Sequence, residues 1–399
     1  MNYLPVILGT DVNAYGMARA FYEEYGKKSL LIGRGRLFMT ENTKILDVLV
    51  YEELTDDFVG TLTRISESLK DRYDVLILIA SSDEYAAHAI KHKEELKDIY
   101  SMPFIDYRLF DRLSDKKSFY ETCEEYGLDY PKTAFISRDN YREVENKFGY
   151  PVVLKASNSV KYLALDFEGK KKAFIIDSEE ELRDVLNKIY QTQYDDYMIL
   201  QDFIPGDDSN MYVLNAYVNS AGEVSLMALG HSLMEDPSPD LIGNYLAITD
   251  TNGDKIYPMY KKFLEEIAYT GFANFDMKYD RRDGKYKVFE INLRQGRSSF
   301  FTTLAGANLS RALVDDFVEG KRGETTYPDK EFLWLGANFD TVIEYVKDEE
   351  IKKEMLKKKP IAQNTLYYEE DMNFIRRRSL KKYFDRYDER FKEHFVQKE

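Results

Sequence analysis

The stretch from Phe272 to Arg294 constrains the fold more than any other in this chain. It reads as two runs of alternating apolar and polar residues, Phe272–Asp280 and Tyr286–Arg294, around the turn Arg281-Arg-Asp-Gly-Lys285. Alternation with period two is the pattern of a half-buried strand. Phe275, Met277 and Tyr279 share one face of the first run; Phe289, Ile291 and Leu293 share one face of the second. A two-residue loop at Asp283-Gly284 would pair Arg282 with Lys285 and oppose the two apolar sets. A three-residue loop, Arg282–Gly284 with Gly284 left-handed, pairs Arg281 with Lys285 and puts both sets on one face. A one-residue slip would turn the apolar set to solvent, so burial selects the second register. That register predicts Asp276 directly across from Glu290.

The opposite face of the hairpin carries Asn274, Asp276, Lys278, Glu290, Asn292 and Arg294. Facing carboxylates repel and weaken a sheet. A hard divalent cation reverses that sign, and Mg²⁺ bound with substrate phosphates needs few protein oxygens of this kind. The plainer alternative is a solvated strand face whose charges serve solubility.

The 399 residues exceed one ordinary core, so two or three domains are expected. A formal charge of −15 argues against nucleic acid or anionic membranes as partners, although local Lys and Arg can still receive an anionic substrate. No run is long and apolar enough to be expected to insert in a membrane. The first residues lack a signal-peptide layout, and one cysteine allows no internal disulfide; a cytoplasmic location fits. Cys123 lies in a helical pattern and is expected to be structural.

Val6–Leu8, Leu30–Ile32 and Asp74–Ala80 are short apolar runs separated by helical patterns at Asn13–Tyr25, Phe58–Lys70 and Asp83–Leu96. Such runs fit parallel strands buried on both faces, so an open parallel α/β sheet is predicted. The segment Gly9–Gly16 between strand and helix is either an anion-binding loop or a simple turn; it lacks the G-x-G-x-x-G dinucleotide fingerprint. Ser114 is the expected cap of the next helix. The strand ending at Lys155 runs into Ala-Ser-Asn-Ser159, which suits a phosphate contact or a snorkelling surface lysine. Met211–Asn219 and Val224–Leu229 read as a hairpin, Leu233–Tyr245 as a loop long enough for a lid, and Thr303–Glu319 as a helix. His231 is expected to be structural. The tail after Glu331 reads as mostly helical, with Lys352–Lys359 and Arg376–Arg378 as solvated surface.

An apolar strand ending in Lys155, the segment Ile199-Leu-Gln-Asp-Phe-Ile204 with Pro-Gly after it, and Asp276 followed by Glu290-Ile-Asn292 resemble, in order and spacing, the ATP-grasp ligases. Glu290-Ile-Asn-Leu-Arg-Gln-Gly-Arg-Ser-Ser299, with Asn13-Ala-Tyr-Gly16, looks most like the carboxylate–amine branch, and within it the peptidoglycan D-aspartate ligases. The resemblance implies an α/β and α+β architecture. An N-terminal Rossmann-like domain (1–112) is followed by a small central subdomain (113–200). A larger antiparallel subdomain (201–330) and a helical C-terminal extension (331–399) complete it.

The resemblance also assigns roles. Lys116 and Lys155 would contact ATP phosphates, and Ser157 and Ser159 stand where the family's Gly-rich phosphate loop would be. Gln201, Asp202, Phe203 and Ile204 would hold adenine, partly through backbone groups, and Asp208 would reach the ribose. Asp276, Glu290 and Asn292 would hold Mg²⁺. Arg294 with Lys155 would neutralise charge during catalysis. Arg297, Ser298 and Ser299 are candidates for the amino-acid donor's carboxylate, since arginine binds carboxylates bidentately. The implied reaction makes an acyl phosphate and ADP, and an amine then displaces phosphate, so no protein nucleophile is required. The expected partners are an amino-acid donor, D-aspartate, and an amine acceptor, the lysine side chain of a peptidoglycan precursor, with a homodimer left open. A different acceptor, as in dipeptide ligases, and a nucleotide-binding protein without activity are the competing expectations.

Overall fold

The computed structural model describes residues 1–396 apart from 240 and 242; the side chains of residues 159 and 160 also lie outside what is described. Three sheets organise the described residues. Leu46–Val50, Ser29–Gly33, Tyr3–Leu8 and Val75–Ala80 lie side by side in that order, all parallel. Continuous burial along Tyr3–Leu8 is what a strand covered on both faces requires. The edge strand Leu46–Val50 adds to the three expected; its Asp47, Leu49 and Val50 are exposed, so its sequence carries little burial signal.

The central sheet is antiparallel, in the order Thr133–Ile136, Met198–Asp202, Val152–Ala156, Ala173–Ile176. Glu179–Gln191 packs on it, capped by Ser178, whose side chain accepts from the Glu181 N–H. This unit has an apolar core of its own, running from Ile136 to Leu200. The N-terminal and large sheets, by contrast, share two continuous cores.

The large sheet runs Lys285–Asn292, Gly271–Asp280, Met211–Val218, Val224–Glu235, Tyr245–Asp250, Leu333–Leu335, Ala362–Asn364. Its last two strands come from the tail, which is therefore not simply helical. Nor is the tail's basic sequence all solvated. Arg376 is fully buried over the Tyr15 ring, with its Nη1 donating to the carbonyls of Met39 and Glu41. Lys358 is buried against Asp250, Glu354 and Thr249. Both cations found carboxylate or carbonyl partners, which a charge count along the sequence does not reveal.

Other expectations shift. Val224–Glu235 extends beyond Leu229, so the loop after it starts at Asp236. The segment 303–319 breaks at Gly306, where φ is +87° and Asn308 caps a new helix, Leu309–Val314. Ser114 ends the helix Tyr107–Ser114, and Asp115 caps the next one, Lys116–Tyr126, by accepting from Ser118 N–H. Cys123 lies buried in that helix, and burial pushes its thiol far up, away from thiolate chemistry. His231 stacks on Tyr212 and bonds the Ser209 carbonyl; burial lowers its pKa.

Candidate active site

The hairpin forms with a different turn from the one expected. Asp280 pairs with Lys285, so four residues, Arg281–Gly284, make the loop, and Gly284 at φ +74° donates its N–H to the Asp280 carbonyl. Continued without interruption, that register would set Asp276 opposite Phe289. A bulge between Met277 and Asp276 inserts Phe289 as the extra residue and brings Glu290 across from Asp276. Val288, not Phe289, joins Met277 in the core. The bulged strand is an edge, and its spare groups are met from outside: Val288 N–H donates to the Asp129 carbonyl, and Tyr120 OH donates to the Phe289 carbonyl at 2.9 Å.

Around Asp276 the polar residues form a chain across neighbouring strands. Asn215, Asn274 and Asn292 lie level on three adjacent strands. Ser299 Oγ and Asn274 Nδ2 both donate to Asn215 Oδ1, at 3.0 and 3.1 Å. Asn292 Nδ2 donates to Asn274 Oδ1 at 3.0 Å and to Asp276 Oδ2 at 3.2 Å. Tyr245 OH donates to Asp276 Oδ1 at 2.8 Å. Such a network fixes side-chain direction because Asn274 and Asn292, between its ends, are tied to neighbours on both sides. Asn215 and Tyr245 escape a reading of the sequence; the signal for Asn215 is a polar residue inside the apolar run Met211–Val218. Gly296 lies over this chain, where a Cβ would come within 3.1 Å of the Asn274 amide.

The acid pair is electrostatically unfavourable by itself. Burial first, and then the Glu290 charge, push the Asp276 carboxyl well above the usual carboxylate range; the Tyr245 hydroxyl and Arg294 oppose this. Among the described residues neither carboxylate makes an ion pair, and no group of three His, Cys, Asp or Glu side chains gathers in metal-binding geometry. The donor set is thus two carboxylates and the Asn292 amide oxygen, whose only hydrogen bond among the described residues is a long 3.5 Å one from Arg294.

Lys155 approaches from the central sheet, its ammonium 5.5 Å from the centre of the Phe289 ring. Burial and the neighbouring Lys116 lower its pKa to about 7, against the pull of Glu290. Lys116, Lys155, Glu290 and the bulged Phe289 therefore lie close together where the central sheet meets the hairpin. Ser157 sits at the end of the Lys155 strand, with its hydroxyl turned to Asp196 at 3.1 Å. The side chain of Ser159 lies outside the described residues.

The segment after the central strand is tied down by its side chains. Gln201 is buried, its amide donating to Tyr120 OH and Thr133 Oγ1, both at 2.9 Å. Asp202 accepts two bonds from Arg282. Phe203 lies under the Lys278 ammonium, and Ile204 is buried. Side-chain roles for Gln201 and Asp202 in binding a base are thus taken by protein partners. Asp208 accepts from the Glu235 N–H at 2.9 Å, which ties it to the far end of Val224–Glu235.

The loop leaving the hairpin meets the N-terminal unit. Arg294 donates to Asp83 at 2.9 Å, on the first turn of the helix Asp83–Lys91. Arg297 donates to the hydroxyls of Tyr383 and Tyr387, at 3.1 Å each. Ser298 and Ser299 are buried, and Ser299 is committed to Asn215. The helix that follows is only Phe300–Leu304, and backbone turns use the Ser299 and Phe301 N–H groups. In the Gly9–Gly16 segment the Asp11 carboxylate caps the helix Val12–Tyr25, accepting from the Ala14 N–H.

No protein-family model matches the chain. It is 48% identical over 411 aligned residues to the D-aspartate ligase of Enterococcus faecium strain Aus0004, spanning 100% of this chain and 98% of that protein. It is 23% identical over 292 residues to the carbamoyl phosphate synthase large chain of Thermotoga neapolitana, covering 70% of this chain and 25% of that longer protein. Among solved structures it superposes on an ADP complex of N5-carboxyaminoimidazole ribonucleotide synthetase with a TM-score of 0.61 at 14% identity, over 86% of this chain and 85% of that one. It superposes on the L-amino acid ligase of Bacillus licheniformis with a TM-score of 0.54 at 15% identity, over 79% and 74%. The fold common to these structures is the ATP-grasp fold.

Proposed function

The chain belongs to the D-aspartate ligase family of ATP-grasp enzymes, ATP-dependent ligases that form a C–N bond, and we propose that its own donor is D-aspartate. The acceptor in this reading is an amine, the lysine side chain of a peptidoglycan precursor. The observation that carries the reading is the facing pair Asp276 and Glu290, with Asn292 beside them and Lys155 opposite.

The residues present fit a divalent cation. Two adjacent carboxylates, one with its pKa raised, together with an amide oxygen form a hard-oxygen set that gains when a cation arrives. Asp276, Glu290 and Asn292 would hold Mg²⁺, which when bound would offset negative charge on the nucleotide's phosphates. Lys155 and Lys116 bear on the same anion. An arriving phosphate raises the Lys155 pKa again, so the lysine is charged when the phosphate is there to need it. Arg294 stands next to Asn292 and holds Asp83 in the meantime; a developing acyl phosphate would compete with that carboxylate for the guanidinium. Phe289, set out of the core by the bulge, would offer an apolar wall to the base, and the Tyr120 hydroxyl joins its carbonyl to the Gln201 amide.

A cysteine buried in a helix and a co-substrate of ATP agree with a cytoplasmic reaction. The test is ADP release with Mg²⁺ and ATP over a panel of acidic amino acids, first with hydroxylamine to trap the activated carboxylate, then with a lysine-containing acceptor peptide, reading product mass. ADP release with D-aspartate and a mass gain of one aspartyl group on the peptide are expected. No release with any acidic amino acid would remove the donor assignment.

A further inference from the structure

The C-terminal helix Phe374–His394 reaches this site through two hydroxyls. Tyr383 and Tyr387 stand one turn apart, 3.2 Å from oxygen to oxygen, and both accept from Nη2 of Arg297. Nη2 carries two hydrogens, so this pair uses both. Among the described residues Nε and Nη1 of Arg297 make no hydrogen bond, and their N–H groups remain for an anion. The arginine is thus held in place by the tail yet not neutralised by it.

A carboxylate stands on the other side. Asp236 follows the strand Val224–Glu235 and is 1% exposed. Its Oδ1 accepts from the Ser238 N–H at 3.0 Å, while Oδ2 has no hydrogen bond among the described residues. The nearest cation is Arg390 of the same C-terminal helix, 3.7 Å from Oδ2 and stacked on the Tyr387 ring. A buried carboxylate oxygen without a donor is costly, and a ligand ammonium is the group that would relieve it. Tyr387 links cation and anion, since it accepts from Arg297 and carries Arg390, the partner of Asp236, on its ring. A fixed guanidinium beside a carboxylate whose Oδ2 has only the long 3.7 Å ion pair to Arg390 is complementary to a zwitterion.

We propose that the C-terminal helix completes the amino-acid donor's pocket. Tyr383 and Tyr387 are positioning residues that aim Arg297 at the donor's non-reacting carboxylate, and Asp236 Oδ2 receives the donor's ammonium. The assignment rests on the ligase reading above. It makes the tail a specificity element that distinguishes an amino acid from a plain diacid.

Calorimetry on the full chain, with Mg²⁺ and a non-hydrolysable ATP analogue present, tests this by comparing D-aspartate with succinate, which lacks the ammonium. The wild type is expected to bind aspartate at least about tenfold tighter than succinate. D236N should bring that ratio close to one without changing nucleotide affinity. Y383F/Y387F should weaken both ligands about tenfold and keep the ratio, again with nucleotide affinity unchanged. An unchanged ratio in D236N, or unchanged aspartate binding in Y383F/Y387F, would overturn the proposal and leave the ligase reading standing. So would parallel loss of nucleotide binding in both variants, which would mean the helix only supports the fold. A wild type that binds nucleotide but no acidic amino acid would bring down the donor assignment itself, and this pocket with it.

Discussion

The hairpin that organises the chain holds an acid pair at each end, and the two live in opposite environments. At the turn, Asp280 and Asp202 share the guanidinium of Arg282, with contacts of 2.8 and 2.7 Å, and Lys287 stands 3.7 Å from Asp280. The Arg282 hydrogen bonds hold the Asp280 carboxyl below its usual range although its side chain is only 1% exposed. Four strand positions away, Asp276 and Glu290 face each other with no ion pair among the described residues, and Asp276 is pushed the other way. The chain thus compensates buried charge fully where charge serves to join the hairpin to the central sheet. It leaves charge uncompensated where a cation and phosphates are proposed to come. Charge without a counter-ion, more than acidity as such, separates the candidate site from structural ion pairs.

The sharpest way to break this comparison is Glu290→Gln. Turnover should fall at least about a thousandfold, roughly 4 kcal/mol of transition-state stabilisation, while the thermal midpoint holds or rises because a like-charge neighbour is gone. ADP release and thermal unfolding measure the two sides, and activity within tenfold of wild type would contradict the metal assignment. Arg282→Ala is the mirror experiment. It should cost about 2 kcal/mol in urea unfolding, below the range for fully buried pairs because Arg282 is 44% exposed, with turnover per folded molecule largely kept. Loss of activity without loss of stability would erase the contrast.

Smaller effects follow from titration. A carboxyl with a raised pKa must lose its proton to take a cation, so apparent Mg²⁺ affinity should fall as pH drops through the Asp276 pKa, by up to about tenfold per unit. The same group favours the folded metal-free protein at low pH and loses that contribution as pH rises through its elevated pKa; D276N should flatten this slope. Smallest is a proton count. With Lys155 lowered to about 7, nucleotide binding at pH 8 should take up a proton, and K155M should abolish the uptake in calorimetry across buffers of different ionisation enthalpy.

Much of the fold and of the acid pair is legible in the sequence. The parallel strands at Val6, Leu30 and Val75, the helices between them and the facing of Asp276 and Glu290 all follow from apolar periodicity. The route to that facing does not. Alternation predicts a three-residue loop, whereas a four-residue loop and a bulge at Phe289 reach the same pairing by two offsets that cancel. Apolar alternation cannot separate these, because Val288 and Phe289 are both apolar and only packing chooses which one is buried. The buried Arg376 and Lys358 are hidden for a related reason: in a charge run every residue looks solvated until its partners are known.

Residue order alone was enough for most of the N-terminal elements and for the chemistry of the acid face, since period and the identity of carboxylates are local properties, whereas the strands Leu46–Val50, Leu333–Leu335 and Ala362–Asn364 carry no such local signal. Folding in three dimensions settled which cations those acids lack and which partners the arginines have. Arg294 meets Asp83 across 211 residues, and Arg297 meets Tyr383 and Tyr387 across 86 and 90. Contacts of that span depend on how whole sheets and a C-terminal helix pack together, and nothing in the neighbouring sequence encodes them.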